Sequence, residues 1–155
     1  MAPPRPIPID TGTAALRGWL TERENATRTD RATAVRFTLQ VLAEEHPGRS
    51  VELRVPPFGA VQLIAGTTHT RGTPPAVVEM TAETWLRLAT GELSWADGCA
   101  PGGGITASGE RSNLADVLPV PIARRTARAH AADTGAADAG RTDAGAADAA
   151  GEGPR

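Results

Sequence analysis

At residue 50 the hydrophobic period of this chain changes, and that change limits the fold more than any other feature. Upstream, Val35, Leu39 and Leu42 recur at i, i+4 and i+7, the spacing that puts side chains on one face of a helix. Downstream, Val51, Leu53 and Val55 alternate with Glu52 and Arg54, the period of a strand with one wet face. A chain with both periods must lay helices on a sheet, so the predicted class is α+β. Pro56-Pro57-Phe58-Gly59 reads as a turn, and Ala60 to Ile64 as a second strand with Val61 and Leu63 on one face and Gln62 on the other. The two strands are expected to pair antiparallel. Residues 67–75 are turn formers and hydrogen-bonding side chains, hence a loop, and Ala76 to Met80 is a third strand.

Helix signals surround this strand region. Pro3, Pro4, Pro6 and Pro8 keep the first residues extended, and Thr11 to Glu24 comes next with Leu16, Trp19 and Leu20 on neighbouring turns. Asp30 reads as the N-cap of a helix reaching about Glu45, with Pro47-Gly48 stopping it. Thr81 caps Ala82 to Thr90, Glu83 complements the dipole, and Gly91 terminates. Ser94 to Asp97 resembles a capping box that starts a short helix, Pro101 to Gly104 breaks that helix, and Ile105 to Ser108 is a last strand. Ser112 is positioned to cap a final helix through Leu114 and Val117. From Ala123 onward no large apolar residue occurs, so disorder with at most a transient Ala-rich helix is expected. The predicted organisation is an extended arm at 1–12, a domain at 13–122 and a tail at 123–155.

Composition narrows the function classes. A net charge of -2 gives no global attraction to nucleic acid or anionic membrane surfaces. The chain has no lysine, which removes Schiff-base catalysis and the phosphate-binding P-loop. A single Cys99 forms no internal disulfide and fits a reducing compartment. The N-terminus lacks the apolar core of a signal peptide, and no run approaches the roughly 18 apolar residues of a membrane span, so a cytoplasmic protein without stable membrane insertion is expected. His46, His69 and His130 are far apart and in no metal-binding spacing, so neither metal nor cofactor is expected. The run Gly98 to Gly109 precedes a strand, whereas a phosphate loop opens a helix, and a plain connection is the reading. No Gly-x-Ser-x-Gly elbow occurs, and Cys99 has no adjacent base in sequence, so no catalytic residue is assigned.

Four segments carry a family resemblance: Val-Glu-Leu-Arg-Val-Pro-Pro-Phe-Gly-Ala-Val-Gln at 51–62, His-Thr-Arg-Gly-Thr-Pro-Pro at 69–75, Thr-Trp-Leu-Arg-Leu-Ala-Thr-Gly at 84–91 and Ser-Gly-x-Arg-x-x-Leu at 108–114. With them, Ser50 to Pro119 resembles the sterol carrier protein family, and more closely its short bacterial branch. The resemblance implies a curved, mainly antiparallel sheet covered by helices around an apolar cavity, used elsewhere in the family to carry sterols, fatty acids or acyl-CoA. It implies no catalytic residue.

On this reading Val51, Leu53, Val55, Phe58, Val61, Leu63, Val78, Met80, Trp85, Leu88 and Trp95 are the apolar ligand contacts. Arg54, Gln62, His69 and Arg71 are the polar candidates for the cavity mouth, where arginine offers a planar fork for an anionic head. The expected partner is an apolar small molecule, bound without bond changes. Two other classes stay open. One is an accessory or catalytic domain of a thiol- or acyl-transfer enzyme, by analogy of fold alone. The other is a module that docks a protein partner, which an exposed Trp95 with no cavity behind it would favour.

Overall fold

Val51, Leu53 and Val55 are fully buried while Glu52 and Arg54 between them are half-exposed, so β1 (Val51–Val55) has the two-faced character its alternation requires. The computed structural model describes residues 4–66, 76–109 and 111–142. β2 (Gly59–Leu63) pairs antiparallel with β1, setting Leu53 opposite Val61 and Val51 opposite Leu63. β3 (Ala76–Glu79) lies on the other flank of β1 and runs parallel to it, with Leu53 beside Val78. β4 (Thr106–Ser108) joins β3 antiparallel, completing a mixed, open sheet of order β2-β1-β3-β4. The α+β class and the predominance of antiparallel pairing agree with the sequence reading. The central pair is parallel, a feature that strand patterning does not encode.

The helices pack against one face of this sheet. α1 (Ile9–Glu22) and α2 (Arg28–Glu45) lie together, and Gly12 lets them approach closely, since a Cβ there would run into the ring of Phe37. The cap of α2 differs from the expected one. Thr27 takes the N-cap position, accepting a hydrogen bond from the Asp30 N–H, and its hydroxyl also bonds the Asp30 carboxylate. Asp30 is therefore the third helical residue, with both its N–H and its carboxylate bonded to the Thr27 hydroxyl. α3 (Ala82–Thr90) has the predicted ends, with Thr81 accepting from the Thr84 N–H and Gly91 left-handed at φ 87°. α4 (Trp95–Cys99) is a five-residue helix capped by Ser94.

Two expectations near the C-terminal end are corrected. The helix expected after Ser112 is only a 3-10 turn, Ala115–Val117, in which Asn113 accepts from the Ala115 N–H. α5 (Pro121–Thr142) then occupies a stretch whose composition predicts disorder. Its first turns bury Ala123 and Thr126, with Val120 just ahead of them, and pack on α1 and α3. Small side chains suffice there because the helix comes close to its neighbours; the Val120 N–H bonds the Ala89 carbonyl. The N-terminal arm is tied as well, since Gln40 accepts from the Ile7 N–H and donates to its carbonyl.

Most of the buried apolar residues form one cluster. Leu16, Trp19, Val35, Leu39 and Leu42 from α1 and α2 meet Val51, Leu53, Val55, Leu63 and Val78 from the sheet and Trp85 and Leu88 from α3. Each such aliphatic contributes about 1.5–3 kcal/mol when fully buried, so this cluster is what holds the layers together.

Candidate functional site

The side chains expected to line a ligand cavity are, for the most part, the core itself. Val51, Leu53, Val55, Leu63, Val78 and Trp85 are completely buried, with Met80 and Leu88 nearly so, all inside that one cluster. Phe58, Val61 and Trp95 are half-buried and packed against it. Trp85 also spends its polar atom internally, donating from Nε1 to Thr38 Oγ1 at 2.8 Å. Trp19 donates to Glu83 Oε2 at 3.1 Å, and Arg23 lies over its ring and grips Glu92 with both terminal guanidinium nitrogens. These contacts clasp α1 to the region of α3.

The polar candidates are distributed differently from the expectation. Register places Gln62 opposite Glu52, and Arg54 beside Ala60 and Glu79, all on the sheet face turned away from the helices. Arg54 and Gln62 therefore do not stand at a mouth of the core. Arg54 instead bonds Glu52 at 2.7 Å, and that hydrogen bond raises the guanidinium pKa further. The strand period explains the placement: residues 52, 54 and 62 have the parity opposite to the buried set. His69 and Arg71 lie outside the described residues.

The described surface has an opening elsewhere. A solvent-open cleft of about 610 Å³ lies between the C-terminal end of α2, the end of β2 and the segment at 111–117. Its walls are His46, Pro47, Ile64, Ala65, Arg111, Asn113, Asp116 and Val117, and most of its surface is apolar. The volume is within the range of about 300–1,000 Å³ typical of small-molecule pockets, and apolar walls with a few polar groups are their usual chemistry. The backbone joins the walls: the Ile64 N–H bonds the His46 carbonyl at 2.8 Å, and the Ile64 carbonyl accepts from Ser50 at 3.0 Å. Sequence reading missed this site because its residues come from a helix terminus, a strand terminus and a turn, which share no period. The one available signal was Pro47-Gly48, read only as a helix stop.

The glycine-rich run forms a closed connection between α4 and β4. Gly103 donates to the Ala100 carbonyl and Ile105 to that of Gly98, while Gly103 lies so close to the Gly98 backbone that a Cβ would collide. Cys99 is exposed, and partial desolvation pushes its thiol pKa up, which disfavours the nucleophilic thiolate. Among the described residues no group of three metal-ligating side chains is found, and no helix is long and apolar enough to cross a membrane.

A mixed sheet with helices on one face, β1 and β2 as a hairpin and a polar outer face, together make an α+β domain. Residues 27–120 match the family described as bacterial SCP ortholog, and the chain belongs to that family. No curated protein matches the chain. The matched segment contains every residue of the cleft, whereas α1 and α5 lie wholly outside it.

Proposed function

We propose that this protein binds and carries an apolar small molecule of the lipid, fatty-acyl or sterol-like kind, and that the molecule sits in the cleft beside Ile64 and Val117. The observation that carries the reading is a contrast among the described residues: the sheet-facing interior is packed, while the cleft between them offers a mostly apolar, open surface. Its position inside the family segment supports a role in what sterol-carrier-like domains do. No bond is made or broken in this reading, so affinity and release are the working parameters. A half-buried Trp95 and a thiol with a raised pKa give no specific support to the docking and thiol-chemistry alternatives.

Native mass spectrometry of the full chain purified from its host should show a co-purifying lipid, and a fluorescent fatty acid should bind saturably. Ala65 is exposed and lines the cleft, so Ala65→Trp fills the site without touching the core. That variant should keep the wild-type melting temperature and lose about tenfold or more in probe affinity, the scale on which apolar pockets discriminate. Bare polypeptide in repeated preparations, with no saturable probe binding, would count against carriage. Binding indifferent to Ala65→Trp would move the ligand away from the cleft.

A further inference from the structure

Along β2, Ala60 and Gln62 face outward while Val61 and Leu63 face the helices. Continued extended backbone would place residue 64 outward, next to Gln62. Ile64 instead has φ 67°, the left-handed region that a branched side chain rarely adopts. Three contacts hold it there. Its N–H bonds the His46 carbonyl, its carbonyl accepts from the Ser50 N–H, and Gly48 lies against that carbonyl in space a Cβ would occupy. The reversal turns the side chain off the outer face, leaving it half-buried against the core and in the cleft wall. Glycine or asparagine would make this turn at lower cost, so the turn alone does not require isoleucine.

Resting on the reading that the cleft holds the ligand, we infer that Ile64 is its specificity-determining wall: a stiff, branched side chain, set by a strained turn, on which the apolar part of the ligand lies. The stiffness comes from Cβ branching, which restricts χ1 and fixes the shape presented. The Ile64 backbone is tied to both the end of α2 and the start of β1, so the wall does not yield to a bulkier ligand.

The test compares wild type, Ile64→Val, Ile64→Gly and Ile64→Asn in the full chain, with a dansylated straight-chain fatty acid and a fluorescent sterol as probes. Ile64→Val should keep both affinities within about threefold of wild type, because β-branching is retained. Ile64→Gly and Ile64→Asn should weaken the fatty acid by about tenfold and change the ratio of the two affinities by about fivefold or more, since shape selection by a few methyl groups has that size. A purely structural role would lower the melting temperature and leave that ratio as in wild type, and this result overturns the inference. If wild type binds neither probe, it is the carrier reading that fails. If wild type binds, Ala65→Trp abolishes binding and every Ile64 variant keeps the wild-type ratio, the inference alone fails.

Discussion

Trp85 buries its whole indole and still satisfies its N–H, because Thr38 on α2 presents Oγ1 to it at 2.8 Å. The threonine hydroxyl is itself donated to the backbone one turn back, to Ala34 or Val35, so the pair is a complete polar unit inside an apolar cluster. Thr38→Val keeps the shape and removes the acceptor, leaving a buried indole N–H without a partner. The expected cost is about 1–3 kcal/mol, measured by urea unfolding, whereas Thr38→Ser should retain most of the stability. Trp85 was legible in the sequence as an apolar contact, but its partner was not. Thr38 lies 47 positions away, and no local pattern marks a threonine in an apolar helix stripe as an acceptor.

At the scale of elements, ends that announce themselves chemically were readable, whereas elements built from small residues were not. Thr81 and Gly91 bound α3 as expected, since each has one conformational job that few other residues do as well. At α2 two cap-forming residues stand close together, and only geometry shows that Thr27 is the cap and Asp30 its reciprocal partner. Thr27→Ala should therefore destabilise the fold by about 1 kcal/mol, seen as a lower denaturation midpoint with an unchanged dependence on denaturant. The first turns of α5 escaped reading because Ala123 and Thr126 are too small to register as a hydrophobic period, although close packing on α1 and α3 buries them. The parallel alignment of β1 with β3 was equally hidden: alternation fixes which side chains face inward but contains nothing about which strand becomes the neighbour.

For the whole molecule, the alternation that located the sheet carries no information about where a ligand sits. Periodicity correctly picked Leu53, Val55 and Val78 as inward-facing, but inward-facing side chains line a hollow or fill a core with equal regularity, and here they fill a core. Register puts Arg54 and Gln62 on the sheet face opposite to that core. Separating core from cleft gives a further experiment. Leu53 is fully buried among residues of α2, α3 and the neighbouring strands, so Leu53→Ala removes transfer energy and leaves a cavity, at an expected cost of about 2–5 kcal/mol. If the ligand sits in the cleft, the fraction of that variant still folded binds a fluorescent fatty acid with wild-type affinity, and saturating ligand raises the melting temperature of variant and wild type alike through mass action. If the ligand enters the sheet-facing interior, the truncation enlarges its seat, and affinity changes along with stability. Parallel titrations and thermal melts of the two proteins decide between these outcomes, because a cleft ligand predicts a loss of stability uncoupled from binding.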